Sequence, residues 1–318
     1  MTKRLSSRTT VGFFSLTLVL PVLAGCSNGN GQSHAQSTSM PTVDQPTPTD
    51  IPQVRSDEIP QFPIESYMHK YSDEAQVILA SKILIHQCMQ RFGFDYAGPN
   101  VTATALASQD SDINRERRYG IISPRVAETH GYRLVEETRG AGTSAPPHKP
   151  MSDAENKIFI GDGDPSSGVK KGARYDGRPI PEGGCSGEAS RTLGRKESSR
   201  TAEQINNISF ARSQENGLVK KVFASWAACM RDSGYNFKSP MDPLAISPKG
   251  ELSSSEITMA KTDVACKRKV NLVGTWFTVE SGIQKQLIAK KEEVLAQDKK
   301  DFDSLLKEAT RVGANGAS

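Results

Sequence analysis

Apolar side chains recur along this chain with the spacing of helices far more often than with that of strands. From Ser72, which can cap a helix whose first turn carries Asp73 and Glu74, Ile78, Ile85, Met89 and Phe92 fall on one stripe. Val77, Leu84 and Cys88 widen that stripe, and Gly93 can take the left-handed position that ends the helix. The spacing predicts a second helix over about 215–232, with Val219, Val222, Phe223, Trp226, Cys229 and Met230 inward and Gly234 after it. A third runs from Ser254 or Ser255 through Cys266 to about Val270. A fourth, long one covers about 272–311, with a stripe through Trp276, Ile283, Leu287, Ile288, Val294, Leu295, Phe302, Leu305 and Leu306 and a kink expected near Gly274 or Gly282. Charged residues such as Lys290, Lys291, Glu292, Glu293, Lys299 and Lys300 take its other face. Ser123-Pro124 opens a short helix that Gly131 can close, and Ser152-Asp153-Ala154-Glu155 has the form of a capping box before Ile158 and Phe159. Strand-like alternation is confined to Arg133–Glu136 and Gly177–Pro181, so the expected fold is mainly α.

The first 61 residues follow a different pattern. Lys3, Arg4 and Arg8 precede an apolar run from Val11 to Leu23, too short for a comfortable membrane span and ended by small residues, which reads as a signal peptide. The run closes on Leu23-Ala24-Gly25-Cys26, and in this it resembles the bacterial lipoprotein signal. That resemblance implies cleavage before Cys26 and a diacylglycerol on its sulfur. Removal of residues 1–25 takes away three of the 40 basic residues and none of the 36 acidic ones, so the formal net charge falls from +4 to +1. No field suited to nucleic acid remains. Residues 26–61 are rich in Ser, Thr, Pro and Gln with few large apolar side chains, which predicts a flexible, disordered tether.

The chain also matches itself. Cys88-Met89 is followed by Gly93-Phe94-Asp95-Tyr96, and Cys229-Met230 by Gly234-Tyr235-Asn236-Phe237, in the same register. Each copy has a further cysteine downstream, Cys185 in Gly184-Cys185-Ser-Gly-Glu-Ala and Cys266 in Val264-Ala265-Cys266-Lys-Arg. With Cys26 assigned to lipid, four cysteines are left, an even set that in an exported chain points to two disulfides. Equivalence of the two units favours Cys88–Cys185 and Cys229–Cys266 over the two other pairings. Met89 and Met230 are expected to fill core rather than bind metal. The organisation expected is a first helical unit with long loops over 62–195, a second with the long C-terminal helix over 196–311, and a disordered tail over 312–318.

The lipobox, these Cys-Met-x-x-x-Gly-aromatic helix ends, and stretches such as Arg117-Arg118-Tyr119-Gly120-Ile121 and Pro181-Glu182-Gly183-Gly184-Cys185 together resemble a loose group of secreted lipoproteins of actinobacteria. The resemblance covers most of residues 62–311. It implies location and architecture, and brings no defined activity.

Candidate chemistry is sparse. Arg115, Arg117, Arg118 and Tyr119 form the most site-like cluster, since guanidiniums beside an aromatic can hold a carboxylate or phosphate; solvated or ion-paired arginines are the plainer reading. Asp162-Gly-Asp164-Pro-Ser166 opens like a calcium loop, but Ser167 and Ala173 stand where such a loop needs Gly and Glu, so a polar turn is expected. Ser304-Leu-Leu-Lys307 has the Ser-x-x-Lys spacing without its partner motifs. No phosphate-binding glycine loop or His-Glu-x-x-His occurs, and the histidines, at 34, 69, 86, 130 and 148, are scattered. No metal or cofactor is expected. The function expected is non-catalytic binding or scaffolding at the outer face of the cell membrane, against cell-wall polymer or an envelope protein, with the lipid on Cys26 as the membrane contact. A transporter's solute-binding lipoprotein is the first alternative. A wall-active hydrolase using Glu128, His130 and Asp162 is the second.

Overall fold

The computed structural model describes residues 42–55, 57–108, 110–133, 150–246 and 251–316. The signal peptide, Cys26, residues 27–41 of the expected tether, His34, His148, and residues 134–136 of one expected strand lie outside the described residues.

The described chain is helical, with one two-residue antiparallel hairpin, β1 (Arg174–Tyr175) and β2 (Arg178–Pro179), turning on Asp176 and Gly177 at positive φ. The helices are α1 (Tyr71–Gln90), α2 (Ala103–Ala107), α3 (Pro124–His130), α4 (Asp153–Ile160), α5 (Gly184–Thr192), α6 (Thr201–Glu215), α7 (Gly217–Asp232), α8 (Asp242–Ala245), α9 (Ser254–Lys269) and α10 (Leu272–Gly316). Short-range chemistry sets many of their ends. Ser123 and Ser253 cap α3 and α9 through their hydroxyls, Ser152 and Glu155 form the expected capping box on α4, and Asn216 caps α7. α1 starts one residue before Ser72, whose side chain is buried instead of capping.

The two Cys-Met helix ends are built alike. Phe94 N–H donates to the Met89 carbonyl at 3.1 Å and Tyr235 N–H to the Met230 carbonyl at 2.9 Å, with Gly93 at φ 80° and Gly234 at φ 89°. The disulfides are Cys88–Cys185 and Cys229–Cys266, with Cα atoms 5.6 and 5.7 Å apart. Met89 and Met230 are buried. Sequence relatedness does not make the two units separate bodies, however. The main core takes Ile59, Phe62, Ile64, Ile113 and Tyr119 from the N-terminal part and Trp226, Trp276 and Leu287 from the C-terminal part. Residues 40–318 are accordingly one compact unit.

α10 is the spine, with its first half against α6 and α7 and its second half against α1. Its irregularity lies at Lys291 (φ −127°, ψ 15°), not at Gly274 or Gly282. Beyond that break Val294 turns outward, 39% exposed, although it belonged to the expected stripe. The helix also continues past residue 311, with Val312 buried against Leu305 and Ala309, so residues 312–316 are not a tail.

α6 has no counterpart in the apolar pattern because its buried stripe is Thr201, Ile205, Asn206, Ser209 and Ser213. Ser209 and Ser213 meet polar partners inside. The Trp276 indole N–H donates to Ser213 Oγ at 2.7 Å, and Ser209 Oγ donates to Glu280 Oε1 at 3.3 Å. Of the expected tether, the described part from residue 42 on differs from a free coil. Residues 42–55 and 57–61 lie against the body as far as buried Ile59, because backbone groups of Asp44 and Pro46 find hydrogen-bond partners in Gln286 of α10 and in Asn216, the cap of α7, that composition alone does not reveal.

Candidate functional site

The arginine cluster is dispersed by the fold. Arg118 is buried, donating to Glu280 Oε1 and to the Asn206 carbonyl, with Phe62 and Phe210 flanking its guanidinium at 5.4 and 4.8 Å. Tyr119 OH donates to the other Glu280 oxygen at 2.7 Å, and burial followed by the nearby carboxylate raises its pKa well above the ordinary phenol value. Arg117 reaches instead to the carbonyls of Tyr132 and Arg133. Arg115 reaches Glu65 at 3.5 Å and the Ile59 carbonyl at 3.3 Å. Arg115, Arg117 and the Arg118–Tyr119 pair turn to three different sets of partners, and the one carboxylate that two of them share is the protein's own Glu280, so the four do not converge on an outside anion. They are internal struts.

The remaining sequence candidates are also held separately. Asp162 Oδ1 accepts from Gly183 N–H at 2.6 Å, and Asp164 from Ser166 N–H at 2.8 Å, which makes this stretch a polar turn. Glu128 pairs with Lys261 at 3.1 Å across α3 and α9, while His130 closes α3. His86 Nδ1 lies 3.1 Å from the Tyr96 carbonyl. Ser304 sits exposed on α10, its hydroxyl donating to the Lys300 carbonyl at 2.9 Å. Among the described residues no group of three or more His, Cys, Asp or Glu is placed to hold a metal ion.

A second buried cluster is equally structural. Asp263 accepts from Trp226 Nε1 and Lys267 Nζ, each at 2.9 Å, and from Tyr132 OH at 3.3 Å. Lys267 also donates to the Ile121 carbonyl at 3.0 Å. Gly120 makes this possible, since a Cβ there would stand 2.7 Å from the ammonium.

A cleft of about 380 Å³ lies between the first turns of α1, the 195–200 loop, the start of α6 and the second half of α10. Val77, Ile78 and Leu305 give it an apolar floor, and Ile78 is 42% exposed there although its spacing placed it in the buried stripe. The His69 ring stacks on Phe302 with centroids 3.4 Å apart, and burial is the chief cause that lowers its pKa. Burial thus favours the uncharged imidazole, against the pull of Glu203, Asp73 and Asp298. Glu74 lies 3.9 Å from His69 Nδ1; its own pKa is raised, first by desolvation and then by Asp112, Glu203 and Asp73.

Around the rim the charges alternate. Lys196 pairs with Asp301 at 2.7 Å, and Ser199 Oγ donates to Asp298. Arg195 and Arg200 are exposed beside them, and Arg200 holds a left-handed φ of 55° at the start of α6. A cavity of this size with an apolar floor and both signs of charge suits a small amphipathic ligand. The Ser199 hydroxyl beside it is held by Asp298 and Thr201, and the four described cysteines are disulfide-bonded. Sequence reading left His69 among scattered histidines and assigned nothing to 195–200. The run Arg195-Lys196-Glu197-Ser198-Ser199-Arg200 was the available signal, a charged link after Gly194.

No protein-family model, curated protein or solved structure matches this chain. The cleft is therefore judged on its own geometry.

Proposed function

We propose that this chain is an extracytoplasmic lipoprotein, fixed to the outer face of the cell membrane by lipid on Cys26, that binds a component of the envelope without reacting with it. The observation that carries the reading is the order Lys3, Arg4, Arg8, then Val11–Leu23, then Leu23-Ala24-Gly25-Cys26. The two disulfides support it, because such bonds persist in oxidising compartments. Among the described residues no helix is long and apolar enough to cross a membrane, so attachment falls to the lipid in this reading. The cleft beside His69 supplies the binding surface, and a cell-wall polymer or an envelope protein is the partner class.

The test compares the intact protein with Cys26→Ser. The intact protein is expected in the detergent phase and to be labelled by a clickable fatty acid, with Cys26→Ser aqueous and unlabelled. Crosslinking on cells should then capture a partner whose yield falls with Arg200→Glu in the cleft. A Cys26→Ser protein still in the detergent phase overturns the anchor, and turnover of peptidoglycan or ester substrates overturns the non-catalytic reading.

The cleft also favours a second reading, a solute-binding lipoprotein of a transporter. A small solute that saturates the purified protein and is blocked by Arg200→Glu would establish it over scaffolding.

A further inference from the structure

Residues 42–54 run antiparallel to the first half of α10 along a single ridge of that helix. Lys290 Nζ donates to the Thr42 carbonyl at 2.5 Å. Gln286 pairs with both backbone groups of Asp44, accepting from its N–H and donating to its carbonyl, each at 3.1 Å. Asn271 does nearly the same lower down, donating to the Pro52 carbonyl at 3.1 Å and accepting from Val54 N–H at 3.3 Å. Asn216, between α6 and α7, donates to the Pro46 carbonyl at 2.9 Å. These amides read main-chain groups, which any extended segment offers.

The prolines fall on the glycines. A Cβ on Gly282 would stand 2.9 Å from Pro46 Cγ, and a Cβ on Gly274 would stand 2.1 Å from the Pro52 carbonyl oxygen. Glycine is a poor residue for a helix interior, and α10 is regular at both positions, so neither glycine serves a kink. Their missing side chains admit the proline-bearing strand. From Pro46 to Thr42 four residues at an extended rise cover about 12 Å, as far as the eight helical residues from Gly282 to Lys290. The six from Pro46 to Pro52, bent at Thr49, cover the same helical rise between Gly282 and Gly274.

The seating is shallow. Val43, Ile51 and Val54 are only half-buried, and the first buried residue of the segment is Ile59. We propose that this ridge of α10, with Asn216, is a recognition groove for extended, proline-spaced polypeptide, and that residues 42–54 are its releasable occupant. Release would free the chain back to Ile59. If Cys26 carries the lipid, as proposed above, the spacer between anchor and body then has two lengths: at most about 55 Å of chain with the strap seated and about 110 Å with it free.

Arg55 is exposed and is the sole Arg or Lys between residues 42 and 69, so tryptic cleavage after it reports release. In the purified protein, Gly282→Leu should raise the rate of that cut at least tenfold while the thermal transition of the body stays in place. An excess of a synthetic peptide of residues 41–55 should raise the rate in the unaltered protein, and a scrambled peptide should not. Should Gly282→Leu fail to fold, Gln286→Ala is expected to raise the rate severalfold. Unchanged rates in the variants, or equal acceleration by the scrambled peptide, overturn the groove. None of these readouts depends on lipid at Cys26, so their failure counts against the strap alone, and failure of the detergent-phase test counts against the anchor alone.

Discussion

The two Cys-Met helix ends share a local structure and differ in what surrounds it. At the end of α7, the Cys229–Cys266 bridge lies in the main core, beside two buried tryptophans and the Asp263–Lys267 pair. At the end of α1, Cys88–Cys185 sits in a small cluster whose other buried members are Ile85, Met89, Ile158 and Ala189, rimmed by half-buried aromatics such as Phe92 and Tyr175. Cys88–Cys185 spans 97 positions and Cys229–Cys266 spans 37. The longer closure thus falls where there is less apolar burial to hold the chain. One motif, repeated, becomes the main fastening of one region and a supplement in the other.

Removing the bridges is the strongest way to break this comparison. In the chain-entropy model, Cys88→Ser with Cys185→Ser costs about 5 kcal/mol and Cys229→Ser with Cys266→Ser about 4 kcal/mol. Hydrogen exchange should show α4 and α5 losing protection in the first variant, with α7 and α9 keeping most of theirs in the second. Equal, global loss in both would mean that the small cluster is not a separately fastened region.

Next comes Glu280, inside the main core, which accepts from Arg118 and Tyr119. Glu280→Ala leaves a buried guanidinium without its carboxylate and should cost about 3–5 kcal/mol in urea unfolding. Replacing both partners, Arg118→Met with Glu280→Leu, should recover most of that loss. A double variant as unstable as the single one would show that Tyr119 and Ser209 need the carboxylate more than Arg118 does.

The glycines probe the part that the two ends share. Gly93 and Gly234 are both left-handed, with open space where a Cβ would go, so Gly93→Ala and Gly234→Ala should each cost about 1–2 kcal/mol, alike in thermal melts. A clear inequality would locate a difference in the helix ends themselves.

The smallest effect concerns the cleft. Burial lowers the His69 pKa, so the folded protein keeps this ring neutral while the unfolded chain takes up a proton near the ordinary 6.5. Its contribution is thus lost as pH falls through the unfolded value, and the loss levels off below the folded one. His69→Gln should shrink the drop in melting temperature between about pH 7.5 and about pH 5. An unchanged drop would place the acid sensitivity in other groups.

Much of the fold was legible in the sequence because its causes act within one or two turns. The stripes of α1, α7, α9 and α10, the caps at Ser123 and Ser152, and the terminating Gly93 and Gly234 all depend on residues at most five apart. The disulfide pairing followed from the repeat, a sequence property. The cleft was nearly invisible. His69, Arg195, Arg200 and Phe302 come from three distant stretches, and no local period links them. Arg115, Arg117, Arg118 and Tyr119 misled for the converse reason, since neighbours in sequence were drawn to three separate sets of partners, only Arg118 and Tyr119 sharing one, Glu280.

The sequence by itself determined which segments coil, where they stop and which cysteines correspond, since backbone sterics, capping and helical spacing are settled within each segment. Tertiary structure alone decided that α6 buries a polar stripe, that α10 breaks at Lys291, and that residues 42–54 lie on Gly274 and Gly282. The buried Ser209 hydroxyl meets Gln284 and Glu280 of α10, and residues 42–54 have a seat only where two glycines eight residues apart leave room. Such partners lie tens to hundreds of residues away, so only chain closure brings their hydrogen bonds and contacts into existence.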